Sequence, residues 1–161
     1  MRNELRIAIK MADTAEALVE RVREANKGLI AEPNPPAGLG IDPMLLALAM
    51  ELALKAWITL DQGSKTIREH NLSKLFSMLK PEQQEKIEND LWISCPWHSP
   101  SPLDPLGMDA ASILDHHADA FVKWRYMHEM THGSFSISDM ENVFESVLRL
   151  FRARCASEAL T

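Results

Sequence analysis

The sequence predicts an all-α fold, an up-and-down helical bundle with two long central helices and several shorter ones. Ala, Leu, Met, Glu and Lys dominate long stretches, whereas the chain has a single Tyr and few runs of β-branched residues. These residue preferences favour helix over strand. With 161 residues, of which 46% are hydrophobic and 25% charged, the chain is predicted to form one domain over 1–161.

The first predicted helix spans 3–27. Its apolar residues recur at helical spacing, and charged residues occupy the opposite face. The helix is expected to end at Gly28, because the following segment "EPNPPAGLG" holds prolines that remove backbone donors and disfavour helix in the residues before them. The apolar positions are Leu5, Ile9, Ala12, Ala15, Leu18, Val19 and Val22.

The second predicted helix, 43–60, is the first of the two central helices. Asp42 and Pro43 are typical of an N-cap followed by a first-turn proline. The helix is apolar almost all round, which predicts burial from several sides. Glu51 and Lys55 interrupt it, and each charge would cost about 2.5–3.5 kcal/mol at a bilayer centre. A buried helix is therefore predicted rather than a membrane span.

Cap signals divide the middle of the chain. Asn71 is expected to cap a short helix in "LSKLFSMLK", and Pro81 to begin the next one. The segment 95–107 holds four prolines and is predicted to be irregular. It separates these short helices from the second long one.

The second central helix is predicted over 109–131. A C-terminal helix should follow over 138–156, because Ser138 and Glu141 have the spacing of a capping box.

The charge balance restricts the kinds of partner. A formal net charge of −6 argues against a protein that coats duplex nucleic acid, since phosphate contacts need a basic surface. Two cysteines do not make a disulfide framework, and the N-terminal stretch lacks the apolar core of a signal peptide, so a cytoplasmic location is expected. Two basic groups are predicted as solvated helix faces, with a local nucleic-acid patch as the alternative: Arg2, Arg6 and Lys10, and Arg149, Arg152 and Arg154.

One stretch matches a metal-binding string. In "YMHEMTHGS", His128, Glu129 and His132 have the H-E-x-x-H spacing by which two imidazoles on one helix face hold zinc and a glutamate polarises its bound water. Gly133 follows at once and is expected to end the helix, and nothing marks a third ligand. A zinc hydrolase is therefore the least favoured function, and no cofactor is predicted.

A second group of possible ligands is weaker still. Cys95 and His98 have C-x-x-H spacing, and His116 and His117 could supply partners. A packed thiol and a solvated imidazole are the favoured interpretation.

Charged residues on the central helices predict a buried polar cluster. Glu51 and Lys55 are four residues apart on the most apolar helix, and Arg125 and Glu129 repeat that spacing on the second one. Buried charges are costly unless they are paired. The four side chains are therefore expected to meet where the two helices pack, either as structural pairs or as a ligand site.

Three ordered blocks carry a family resemblance. "LALAMELALKAWITL", "EHNLSKLFSML" and "ADAFVKWRYMHE" resemble the signature stretches of bacterial HEPN-like helical-bundle proteins, over residues 43–131. Those stretches read apolar-Glu-x-x-x-Lys, His-Asn/Asp-Leu-x-x-Leu and Phe-x-x-Trp-Arg-Tyr-x-x-Glu. The matching positions are Glu51, Lys55, His70, Asn71, Leu72, Trp124, Arg125, Tyr126 and Glu129.

The resemblance implies a helical bundle that is commonly a homodimer. Many such proteins are metal-independent RNases of toxin–antitoxin or defence systems, whereas others are non-catalytic binding modules, so RNA or an antitoxin-like protein is an implied partner. The catalytic members carry an Arg followed by a His, which implies Arg125 for the phosphate and His132 for proton transfer. Here Tyr126 replaces the expected polar residue. A binding or regulatory module is therefore favoured, with the RNase as the alternative.

Overall fold

The computed structural model describes residues 3–27, 41–63, 66–98, 108–126 and 134–159. Every regular element in these ranges is a helix and none is a strand, which confirms the predicted all-α class. A short 3₁₀-helix, Pro96–His98, follows the fourth α-helix. The α-helices are α1 (Asn3–Asn26), α2 (Ile41–Gln62), α3 (Leu72–Ser77), α4 (Pro81–Ser94), α5 (Ala110–His116), α6 (Ala120–Arg125) and α7 (Ile137–Ala159).

Helix α2 lies at the centre of the fold and contacts α1, α3, α6 and α7. Leu46, Met50, Leu54 and Ile58 follow one another at four-residue spacing, and none is more than 1% exposed. Because neighbours cover the other faces as well, the helix tolerates almost no polar residue, as its composition predicts. Its length and composition would also allow a membrane span, but 78% of the relevant window is buried inside the fold.

The long helices that pack with α2 are α1 and α7. Small side chains on α1 let it approach α2 closely, and Trp57 of α2 donates its indole N–H to the carbonyl of Val147 on α7 at 3.1 Å. The Trp57 ring also meets Phe151 edge-on, with centroids 5.7 Å apart. The core is therefore built on three long helices rather than two.

Carboxylates neutralise the C-terminal arginines. Arg152 of α7 lies 2.6 Å from Asp13 and 2.8 Å from Glu16 of α1. Arg149 pairs with Asp90, and Arg154 pairs with Asp61. These arginines tie helices together, so the alternative of a C-terminal nucleic-acid patch finds no support.

The prediction of one continuous helix over 109–131 is wrong, because the described part of this segment is interrupted. Within the described residues this segment forms two short helices, α5 and α6, with a break at 117–119. The break frees the Ala118 carbonyl to accept the N–H of Leu72 at 2.9 Å. It also lets the Asp119 carboxylate accept from the amide of Asn71 at 3.1 Å. Both contacts satisfy groups at the start of α3, which a continuous helix would leave without these partners.

Two helix starts also differ from prediction. Ser136, not Ser138, begins α7, because its hydroxyl accepts the Asp139 N–H at 3.4 Å and its carbonyl accepts the Met140 N–H. Helix α2 begins at Ile41, which places Asp42 in its first turn. There the Asp42 carboxylate accepts from the side chain of Asn26 at 2.9 Å and joins the start of α2 to the end of α1.

The other cap predictions are confirmed. Asn71 accepts the N–H of Lys74 and caps α3, and Pro81 occupies the first turn of α4. Gly63 follows α2 with φ +86°, a conformation that suits glycine, and its N–H donates to the Thr59 carbonyl at 3.0 Å.

Candidate functional site

A buried ion pair lies on the central helix. Lys55 Nζ donates to Oε1 of Glu51 at 2.8 Å, and the two residues are 8% and 4% exposed. A four-residue spacing places both on one face of α2, with the glutamate on the favourable N-terminal side. This confirms the predicted pairing of Glu51 with Lys55.

His70 completes this cluster from the segment before α3. Its Nδ1 lies 3.0 Å from the same Oε1 of Glu51, while 58% of its side chain is exposed. A carboxylate oxygen only accepts hydrogen bonds, so the contact needs the proton on Nδ1. In the neutral ring, Nε2 is then the atom without a proton, and it is available to a ligand.

The second oxygen of Glu51 has no hydrogen-bond partner among the described residues, although it is buried. Leaving a buried acceptor unsatisfied costs about 1–3 kcal/mol. A buried ion pair also gives little net stability relative to apolar side chains of similar size. The cluster is therefore a costly arrangement for a core helix, which favours a functional reason for it.

The segment that carries His70 is held at several points. Oε1 of Glu69 accepts the backbone N–H groups of His70 and Asn71, each at 2.9 Å, and these bonds lower the pKa of the Glu69 carboxyl. Asn71 in turn caps α3 and donates to Asp119 at the start of α6. The imidazole is thus fixed through both its backbone and its Nδ1 atom.

Helix α6 presents an arginine between two aromatic rings. The Arg125 guanidinium carbon lies 4.9 Å from the ring centroid of Tyr126 and 5.8 Å from that of Phe121. Arg125 also donates to the Tyr126 hydroxyl at 3.2 Å. Among the described residues no hydrogen bond or ion pair joins Arg125 to Glu51 or Lys55, so the expected meeting of Arg125 with the buried pair is not found. Glu129, the other predicted member, lies outside the described residues.

Basic and aromatic side chains are exposed on α6, on Tyr126 after it and on the segment that carries His70. Arg68, Lys123 and Arg125 are exposed, and within the described ranges none of them is paired with a carboxylate. Helix α6 joins the His70 segment through the contacts of Ala118 with Leu72 and of Asp119 with Asn71. We call His70, Arg68 and the exposed side chains of α6 with Tyr126 the His70 surface. Its basic side chains have no carboxylate partner among the described residues, whereas the C-terminal arginines are paired with carboxylates.

The H-E-x-x-H string has no described geometry, because His128, Glu129 and His132 all lie outside the described residues. Within those residues, no group of three His, Cys, Asp or Glu side chains could hold a metal ion. The weaker set around Cys95 therefore provides no metal site, and burial raises the pKa of the Cys95 thiol.

A histidine cluster at the start of α7 was not predicted. His98, expected to be solvated, is only 3% exposed, and its Nε2 lies 3.6 Å from the Asp139 carboxylate. His117 is also buried and accepts the Ser136 N–H at 3.4 Å. Burial, with repulsion from His116, lowers the pKa of His117 to about 4, against the opposing effect of Asp139. The sequence showed these histidines but gave no sign that the chain folds them inward.

A second unpredicted feature is a pocket of about 500 Å³ between α4 and α7. Trp57 lines it together with Lys80, Lys86 and Arg154. Asp61 lies beside it, 4% exposed in its side chain, and accepts from Arg154, Lys80 and Gln83. Burial opposes ionisation of Asp61, but the hydrogen bonds from Arg154, Gln83 and Lys80 outweigh it and lower the carboxyl pKa.

Comparison with known proteins adds no family assignment. No family model matches the chain, and neither a curated protein nor a solved structure does. The resemblance to HEPN-like bundles therefore depends on the sequence blocks alone.

Proposed function

We propose that this chain is a HEPN-like helical-bundle protein that acts as a binding or regulatory module, and that its ligand is single-stranded RNA. The observation that carries the proposal is the exposed Arg125, held between Phe121 and Tyr126 without a carboxylate partner among the described residues.

The chemistry of this surface suits a single strand better than a duplex. Unpaired bases stack on aromatic rings and on the guanidinium plane of arginine, whereas phosphates attract the lysine and arginine charges. Tyr126 is 45% exposed and offers such a ring beside Arg125. His70 lies on the neighbouring segment and adds a hydrogen-bonding atom with a fixed direction.

The test is the fluorescence anisotropy of a labelled single-stranded RNA of about 12 nucleotides, a length within the usual site size. We expect Arg125→Ala to raise Kd about tenfold, because it removes a phosphate contact and a stacking plane. The slope of log Kd against log salt should fall by about 0.7.

Arg152→Ala is the matched control, since it removes an arginine whose charge Asp13 and Glu16 already neutralise. The variant should bind RNA as the wild type does. The proposal fails if the wild type does not bind, or if both variants bind equally well.

The second candidate is a metal-independent RNase that uses Arg125 and His132. The exposed guanidinium of Arg125, which has no carboxylate partner in the described part of the chain, favours it, because such a group can stabilise charge on a phosphate. Expression of the wild type should then arrest growth, and Arg125→Ala or His132→Ala should relieve the arrest. Equal growth of all three strains would contradict this candidate.

The resemblance also supports a cytoplasmic homodimer. Most of α2 is buried within the protomer, so this helix offers little surface to a second copy of the chain. Sedimentation equilibrium would test the proposed dimer directly.

A further inference from the structure

We propose that the pocket between α4 and α7 binds a small monocarboxylate with an apolar body. The pocket shares no residue with the His70 surface, so this inference does not depend on the proposed binding of RNA. Its volume of about 500 Å³ lies within the range of about 300–1,000 Å³ that is usual for small-molecule sites. The apolar wall, the basic side chains and the fixed geometry of the pocket indicate the kind of ligand.

One wall of the pocket is apolar. Leu150 and Ala153 are three residues apart and line the pocket from the same face of α7, and Trp57 of α2 also lines it. Ala153 is exposed, and its methyl group leaves space that a larger side chain would fill. Such a wall favours a ligand with an apolar body, because contact removes apolar surface from water on both sides.

Basic side chains give the polar part of the pocket its charge. Lys80, Lys86 and Arg154 line it, whereas Glu82 is the acidic residue among those that line it. Lys86 is exposed and has no carboxylate partner in the described part of the chain. An ammonium group in this position can donate to the carboxylate of a ligand, and such a charge-assisted hydrogen bond is stronger than a neutral one.

Neighbouring carboxylates limit the ligand to one negative charge. Asp61 accepts from Lys80 and from Arg154, and Glu158 accepts from Arg154 at 3.1 Å. The hydrogen bonds to Asp61 lower its carboxyl pKa, so this group is ionised at neutral pH. Two of the three cations are therefore balanced already, and Lys86 remains for a ligand. A polyphosphate would bring more charge than the pocket can match, whereas a single carboxylate suits it.

The lining of the pocket is held in place by contacts within the protein. The Trp57 indole donates to the carbonyl of Val147, and its ring meets Phe151 edge-on. Arg154 is fixed by Asp61, and its guanidinium carbon lies 5.5 Å from the Trp57 ring centroid. Because these side chains are ordered without a ligand, little conformational entropy is lost when one binds.

Two monocarboxylates serve as probes: 2-naphthoate has a flat aromatic body, and octanoate has a flexible aliphatic one. Isothermal titration calorimetry of the full-length protein measures Kd for each. At least one Kd should lie below about 1 mM, because a ligand of about 10–13 heavy atoms reaches this range at ordinary efficiency. The tighter probe identifies the apolar body. The NMR resonance of the Trp57 indole N–H, assigned with Trp57→Phe, should shift as this probe binds.

A substitution that fills the pocket tests the place of binding. Ala153→Leu should raise Kd about 20-fold or more, since the larger side chain occupies space that the ligand needs. Ala156→Leu is the matched control, because it adds the same side chain at an exposed position of α7 that does not line the pocket. This control should stay within about twofold of the wild type. Both sites are exposed, so both variants should fold, which circular dichroism checks.

Removal of charge tests the choice of an anion. Lys86→Gln should raise Kd about fivefold, because it removes the ammonium group that has no carboxylate partner among the described residues. Lys10→Gln, at an exposed position of α1, is its control and should bind as the wild type does. The uncharged amide of the tighter probe should bind about tenfold more weakly than the acid.

Several results would overturn this inference. They are the absence of binding by both probes at about 5 mM, an unmoved Trp57 resonance during the titration, and an Ala153→Leu variant that binds like the wild type. Equal affinity for the acid and its amide would rule out a site for an anion, and displacement of the probe by ATP at a lower concentration would rule out a site for a single charge. RNA binding is measured separately, so its failure and the failure of this inference are distinguishable.

Discussion

Arg154 Nη2 lies 2.6 Å from Oδ1 of Asp61, and this contact joins the end of α2 to the last turns of α7. The guanidinium carbon of Arg154 also lies 5.5 Å from the ring centroid of Trp57. Lys80 and Gln83 donate to the same carboxylate from the start of α4. A single aspartate therefore connects three helices at one end of the fold.

Asp61→Ala should lower the free energy of unfolding by about 3 kcal/mol, because it leaves the donors of Arg154 and Gln83 without their acceptor in a buried place. Urea denaturation followed by circular dichroism would measure the change. Asp115→Ala, at an exposed position of α5, provides the control and should stay within about 0.5 kcal/mol of the wild type. A loss below about 1 kcal/mol at Asp61 would show that solvent replaces the lost acceptor.

Glu51→Ala should destabilise by about 3–5 kcal/mol, since it leaves the Lys55 ammonium buried without its partner. The double variant Glu51→Leu with Lys55→Met should recover most of this loss, because apolar side chains of similar size suit the interior of α2. The same urea titration tests both, with exposed Glu85→Ala as the control. A double variant as unstable as Glu51→Ala would contradict the view that the pair adds little stability.

Asn71→Ala should lower the free energy of unfolding by about 1–2 kcal/mol, because it removes the α3 cap and the contact with Asp119. Asn71→Ser keeps an acceptor for the cap but loses the amide donor, so it should lie between the wild type and alanine. Exposed Asn89→Ala in α4 is the control. Equal losses for alanine and serine would assign the effect to the contact with Asp119.

The histidine cluster predicts a loss of stability in mild acid. The pKa of His117 is about 4 in the fold and 6.5 for the ordinary side chain, so between these values the unfolded chain binds more protons. Neutral His117 therefore contributes its full stabilisation above pH 6.5. As the pH falls toward 4, the free energy of unfolding should decrease by on the order of 2–3 kcal/mol.

Urea titrations at several pH values would measure this dependence. His117→Gln keeps a neutral acceptor for the Ser136 N–H and should flatten the curve between pH 6.5 and 4 relative to the wild type. Parallel curves for the two proteins would assign the acid sensitivity to other groups.

Capping residues in the sequence predicted the start of a helix where the cap bonds only to the next turn of the same helix. Asn71 and Pro81 show this, because a cap needs only the next turn of the chain. The break at 117–119 could not be predicted in this way, since its cause is a partner 46 residues away, the N–H of Leu72 that Ala118 accepts (118 − 72 = 46). Residues 117–119 are compatible with helix, so their sequence alone predicts that the helix continues. The contact with Leu72 interrupts the helix instead.

The candidate site was predicted in part. The spacing of Glu51 and Lys55 on an apolar helix indicated their pairing, because buried charges need partners. The sequence blocks singled out His70, but only the structure places its Nδ1 against Glu51. Asp61 was missed, because an aspartate near the end of a helix looks like an ordinary stop signal and its three donors come from distant segments.

The position of α2 in the chain has a consequence for synthesis on the ribosome. Its partner α7 is made long after α2, and the indole of Trp57 finds its acceptor 90 residues later, at Val147. Until α7 emerges, the side of α2 that it covers stays exposed on the nascent chain, where apolar surface attracts chaperones and other unfinished chains. A transcript truncated before α7 should therefore yield an aggregating product rather than a smaller stable bundle.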